Sequence, residues 1–129
     1  MSEPHRALVA GHADFAAGLV SAVELISGRG AALLPIQVQG LCGADIEALL
    51  KLTLIESGAR VIFTDLQAGS CTMAARRVQR EMPGVLLVAG ANLPMLLDFA
   101  MSSDDNVASA ARSAAEKGRV AVAVFGGDA

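Results

Sequence analysis

His12 and Asp65 are the side chains best placed to do chemistry. Each follows an apolar run, Ala7-Leu8-Val9-Ala10-Gly11 before His12 and Val61-Ile62-Phe63-Thr64 before Asp65. Such runs read as buried strands, and in open α/β sheets ligands gather at the carboxyl ends of strands. If the two strands are parallel neighbours, both residues lie on one rim. Asp65 would then accept a hydrogen bond from one ring nitrogen of His12, fixing the tautomer and freeing the other nitrogen to attack an electrophile. The structural alternatives are a satisfied rim histidine and an aspartate that closes a loop or caps a helix.

Gly69, Ser70 and Cys71 follow Asp65 where a loop becomes a helix. Free backbone N–H groups and the positive end of the helix dipole at such a point suit a phosphoryl group, with the Ser70 hydroxyl as a further donor. Simple N-capping by Ser70 is the plainer alternative. No GxxxxGK[ST] or GxGxxG pattern is present, so ATP or dinucleotide binding is unsupported. Cys71 sits just inside a helix N-terminus, a place that can lower a thiol pKa, but only His12 is available as a base. His5 lies in a polar N-terminal stretch with no evident role. Two histidines and unspaced acids make no zinc site, and no cofactor is expected.

The elements that must position these residues alternate. Strand patterns are predicted over Arg6–Gly11, Ala31–Val38, Arg60–Asp65 and Val85–Ala89. Helical patterns are predicted over Asp14–Ser27, Ala44–Ser57, from Ala68-Gly69-Ser70 to Glu81, from Asn92, and over Val107–Lys117. Phe15, Leu19, Val23 and Ile26 mark the apolar face of the first helix, and Gly58 is a natural C-cap for the second. Asn92 with Pro94 opens the fourth helix, and Asp104-Asp105 is expected to cap the fifth. Arg119–Phe125 reads as a fifth strand after a break at Gly118. Successive strand–helix units predict an α/β fold: one doubly wound, mostly parallel sheet of four strands plus an antiparallel edge strand, with helices on both faces.

The 129 residues suit one domain, and 53% hydrophobic content suffices to bury a core. Aromatic residues are 3%, with no Trp or Tyr, so Leu, Val, Ile, Ala and Met must build that core. The net charge of −3 disfavours nucleic-acid binding, and Arg76, Arg77 and Arg80, the only basic cluster, read as a solvated helix face. No apolar run reaches the roughly 18 residues of a membrane span, and no signal-peptide core precedes the first strand. A cytoplasmic location is expected, with Cys42 and Cys71 as free thiols.

Three stretches resemble a known family, the mannose-type enzyme IIA of the bacterial sugar phosphotransferase system. The segment Leu8-Val9-Ala10-Gly11-His12-Ala13-Asp14-Phe15-Ala16-Ala17-Gly18-Leu19 looks like its phosphohistidine motif. Thr64-Asp65-Leu66-Gln67-Ala68-Gly69-Ser70 looks like its second motif, and Ala89-Gly90-Ala91-Asn92-Leu93-Pro94-Met95-Leu96-Leu97 like its third, all in family order across nearly the whole chain.

The resemblance implies a phosphohistidine carrier spanning residues 1–129 as one domain. His12 would accept a phosphoryl group from phospho-HPr and pass it to a histidine of a IIB component, serving a membrane IIC/IID sugar transporter. Asp65 would hold His12, while Gly69, Ser70, Cys71 and neighbouring amides would bind phosphoryl oxygens. A homodimer is implied, and no nucleic acid. Ala13 and Asp14 stand where the family often has small, glycine-rich residues. Ala68 replaces a glycine and Cys71 a common proline, and Asp14 is expected to face solvent as a helix N-cap. Two other roles fit the same residues: the phosphoryl-donor subunit of dihydroxyacetone kinase, and a regulatory module that reports phosphorylation. A hydrolase built on His12 and Asp65 lacks a serine nucleophile elbow.

Overall fold

The computed structural model describes residues 5–128. Four strands form one sheet: β1 (Ala7–Ala10), β2 (Leu33–Pro35), β3 (Val61–Thr64) and β4 (Leu86–Ala89). Five helices connect and follow them: α1 (Phe15–Ser27), α2 (Gly43–Ser57), α3 (Ser70–Glu81), α4 (Leu93–Ala100) and α5 (Val107–Val120). The strand order is β2-β1-β3-β4, and every pairing is parallel. The α/β class and the four-stranded parallel sheet expected from the apolar runs are both present.

Burial explains the order. The central strands β1 and β3 carry no polar residue except Thr64 and are buried throughout. Strands covered on both faces need such continuous apolar runs. One face packs against α1, α4 and α5 through Val9, Val23, Phe63, Leu96 and Phe99, with the Phe63 and Phe99 rings edge to face at 5.1 Å. The other packs against α2 and α3 through Leu8, Ile46, Leu50, Ile62 and Val78. The register pairs Ala10 with Thr64, so β1 and β3 leave the sheet side by side. The residues that follow, His12 and Asp65, therefore share one rim.

Several local expectations are corrected. In α1, Ala16 and Val23 are buried and Phe15, Leu19 and Val20 pack partly buried beside them, but Ile26, expected on the same face, is exposed. Gly69, not Ser70, is the N-cap of α3, and Asn106 caps α5 by accepting from Ser109 N–H. Gly58 does end α2, at φ 75°.

The fifth strand expected over Arg119–Phe125 is absent among the described residues. Arg119 and Val120 complete α5, and residues 122–128 form no regular element. Gly118 does not break the helix because it is the point where α5 closes on α4. A Cβ there would fall 2.7 Å from Met95 Cε, and Asn92 Nδ2 donates to the Gly118 carbonyl at 2.9 Å.

Candidate functional site

The site forms where the turn after β1 meets the loop after β3. Phe15 N–H donates to the His12 carbonyl at 3.0 Å, closing a tight turn between strand and helix. Gly11 makes the approach of the two segments possible. A Cβ at that position would lie 2.9 Å from Asp65 Cγ and 2.5 Å from Phe15 Cδ1. Sequence reading passed over this role, although a glycine between a strand and a rim histidine was its available signal.

Asp65 Oδ2 accepts two hydrogen bonds from His12, one from the backbone N–H at 2.8 Å and one from ring Nδ1 at 2.7 Å. A carboxylate can only accept, so a ring proton sits on Nδ1, and in the neutral ring Nε2 keeps its lone pair. The His12 side chain is 58% exposed, while that of Asp65 is only 9% exposed. The pair thus presents a bare nitrogen outward on a ring held from beneath.

Burial pushes the Asp65 carboxyl up. The His12 backbone N–H, the ring hydrogen bond and charge of His12 and a backbone contact of Asp65 itself outweigh it, leaving the group below its ordinary 3.8. Asp65 Oδ1 is buried without a hydrogen-bond partner among the described residues.

The first turn of α3 lies against the same ring. A Cβ on Gly69 would stand 3.2 Å from His12 Cε1. No side chain caps this helix, and its first backbone acceptor, the Gly69 carbonyl, is taken by Met73 N–H. The N–H groups of Ser70, Cys71 and Thr72 therefore have no acceptor within the helix. Such donors at the positive end of a 12-residue helix favour an anion beside the histidine. The Ser70 side chain is exposed at this point.

The Cys71 side chain is placed differently. It is buried against the face covered by α2 and α3, so only its backbone N–H remains for a ligand. Burial pushes its thiol up, the Asp65 charge adds to this, and a hydrogen bond from Ser70 opposes it. The thiol is protonated at neutral pH, which removes it as a nucleophile.

The residues that differ from the family motifs take distinct places. Asp14 occupies the N-cap position of α1 and is exposed, but its side chain makes no capping hydrogen bond. Ala13 adopts φ +49°, the only non-glycine residue with positive φ among those described. Ala68 is free of that strain. An alanine in the left-handed region costs about 1–2 kcal/mol, part of which a glycine returns as backbone entropy. Ala13→Gly is therefore expected to stabilise the chain by about 0.5–1 kcal/mol in urea unfolding. Equal or lower stability would show that the turn does not strain Ala13.

Comparisons with known proteins give the chain a family and a fold. Residues 6–116 match the family described as PTS system fructose IIA component. The fold is similar to that of the mannose/sorbose-specific IIA subunit of the phosphotransferase system from Enterococcus faecalis (TM-score 0.81, 23% identity, 98% of each chain covered). It is also similar to phosphotransferase system component EIIA from Streptococcus agalactiae (TM-score 0.81, 20% identity, covering 93% of this chain and 96% of that one). A third similar structure is the PTS IIA protein associated with the fucose utilization operon of Streptococcus pneumoniae (TM-score 0.71, 24% identity, covering 90% and 93%). Among curated proteins no match was found.

Proposed function

The chain belongs to the PTS system fructose IIA component family, and from that premise we propose that His12 carries a phosphoryl group from phospho-HPr to a IIB component. The carrying observation is the ring itself: Nδ1–H donates to a buried carboxylate at 2.7 Å and Nε2 is left outward. In the transfer, the Nε2 lone pair forms a bond to phosphorus as the donor's phosphorus–nitrogen bond breaks. The leaving nitrogen keeps that electron pair. The Nδ1 proton stays in place, so the phosphorylated ring is cationic and Asp65 balances it. The amides of Ser70 and Cys71, with the Ser70 hydroxyl, bind the phosphoryl oxygens next to the ring. A loose phosphoryl-transfer transition state needs mainly such positioning and charge stabilisation.

The test uses phosphoenolpyruvate with labelled phosphate, enzyme I and HPr. One acid-labile phosphoryl group per chain is expected, transferable to a IIB component. A chain that stays unlabelled while HPr is charged would refute the assignment. The domain, residues 1–129, acts in the cytoplasm beside the membrane IIC/IID transporter. No helix among the described residues is long and apolar enough to cross a membrane, in keeping with a carrier of this kind.

The homodimer and the antiparallel fifth strand belong to the same reading. Strand β4 ends the sheet and is only half-buried, unlike β1 and β3. Val122, Val124 and Phe125 are 77%, 91% and 91% exposed just beyond α5. An open sheet edge and an exposed apolar segment of strand-forming residues are complementary. A cavity of about 310 Å³ bordered by Val88, Gly90, Gly118 and Val122 runs along that edge. Residues 121–125 supply the edge strand to β4 of a second copy, an exchange that closes in a two-fold dimer. A chain ending at Val120 is expected to sediment as a monomer where the parent is a dimer. An unchanged mass for the two would overturn this.

A further inference from the structure

The geometry points to Thr72 as a positioning residue for the His12–Asp65 pair. Thr64 and Thr72 are the two buried polar or charged residues of the described core, at 0% and 1% exposure. Their hydroxyls meet at 2.6 Å, and the Thr72 hydroxyl also contacts the Leu66 carbonyl. A carbonyl cannot donate, so Thr72 must give its single proton to Leu66, and Thr64 must then donate to Thr72. The direction of the whole chain of bonds follows from that one constraint.

These bonds grip the backbone on both sides of Asp65. On one side, the Thr64 carbonyl accepts from Gly90 N–H at 3.0 Å and Ala91 N–H at 2.8 Å, tying it to the exit of β4. On the other, the Leu66 carbonyl is held by a hydroxyl from inside the first turn of α3. The Leu66, Gln67 and Ala68 side chains are exposed, so little packing holds this loop from outside. The Asp65 carboxylate must nevertheless keep one oxygen within reach of two His12 donors. The Thr72 hydroxyl bonds only Thr64 and Leu66 and makes no hydrogen bond to His12. It acts by fixing the peptide that follows Asp65.

Without the Thr72 hydroxyl, the Leu66 carbonyl loses its buried donor and turns toward water, the cheaper way to satisfy it. The Asp65 carboxylate then shifts, and the Nδ1–H tautomer of His12 loses its enforced preference. The Nε2 lone pair, on which transfer depends, is then available for only part of the time.

The experiment compares Thr72→Val, Thr72→Ser and the parent. The first readout is the ring ¹⁵N signature of unphosphorylated His12, assigned by its absence in His12→Ala. The parent and Thr72→Ser should show the Nδ1–H form, and Thr72→Val a mixture with the Nε2–H form. The second is the rate of labelling by phospho-HPr, expected to fall about tenfold in Thr72→Val and to stay within about twofold in Thr72→Ser, on the scale by which small misplacements slow oriented reactions. A parental tautomer and rate in folded Thr72→Val would overturn the proposal. So would a Thr72→Ser chain as impaired as Thr72→Val. If Thr72→Val does not fold, Thr72→Ala, which removes the same hydroxyl from the Leu66 carbonyl, decides: the Nε2–H form should appear, and a parental signature refutes the role. The rate readout rests on the phosphocarrier reading and the tautomer does not. A parent that takes no label therefore refutes that reading alone, and a labelled parent with an indifferent Thr72→Val refutes only the positioning role.

Discussion

Replacing His12 by alanine is expected to abolish phosphoryl uptake from phospho-HPr, by at least about 10³-fold, as removal of a reacting group does elsewhere. No other side chain at the rim can take over. Asp65 is turned inward with Oδ2 occupied by His12, and the Cys71 thiol is buried and protonated. Ser70 has no base besides His12. The substitution should leave the fold in place. The His12 side chain is mostly exposed, and the backbone N–H that holds Asp65 at 2.8 Å persists in alanine. Thermal unfolding should move by no more than about 1 kcal/mol, the worth of one hydrogen bond. The measurement is acid-labile label per chain after charging HPr. Parental labelling of His12→Ala would mean that the phosphoryl group resides elsewhere, and the assignment of the site would fall with it.

The pairing behind this prediction was legible because it depends on strand ends. Two apolar runs, each followed at once by a polar residue, place His12 and Asp65 on one rim as soon as the strands are parallel neighbours. The register of Ala10 with Thr64 makes them so. Asn92 was equally readable, since a capping side chain acts within one helical turn and accepts from Met95 N–H. What escaped the sequence depends on distances between segments. Gly118 reads as a helix breaker until α4 lies against it, where its missing side chain becomes the reason α5 continues. The fifth strand was expected over Arg119–Phe125 from the alternation of strands and helices, but a strand exists only beside another strand, and among the described residues Arg119 and Val120 continue α5 while residues 122–128 pair with none. Thr64 and Thr72 are eight residues apart on a strand and a helix, a separation that carries no periodic signal. Only the sharp turn between β3 and α3 brings their hydroxyls together. Ala13 could be seen as a departure from a glycine, but its positive φ shows what the departure costs.

Asp65→Asn is expected to slow phosphorylation of His12 by about 10²–10³-fold while leaving the ring in the protein, a loss comparable to removing an orienting carboxylate or a charge-stabilising group from an active site. The amide preserves the shape of the carboxylate and removes two properties. It carries no charge to balance the cationic phosphohistidine. It also has a single acceptor oxygen where the carboxylate has two. If that oxygen faces His12, the amide nitrogen takes the place of Oδ1, which is buried and lacks a partner, and an unsatisfied donor is trapped there. If the amide flips, its N–H groups face the two His12 donors and repel them. In either orientation the Nδ1–H tautomer is less favoured, so Nε2 is less often free to attack. Stability should follow the charge. The Asp65 carboxyl lies below its ordinary 3.8 in the folded chain, so its contribution is fully present above that value and is lost as pH falls through the lower folded one. The stability gap between parent and Asp65→Asn should therefore be widest near neutrality and narrow in acid. Rapid-quench labelling checks the rate, and urea unfolding across pH checks the charge. A variant that phosphorylates within about threefold of the parent would show that Asp65 holds the ring without contributing to transfer, because a threefold change is only about 0.7 kcal/mol of transition-state stabilisation.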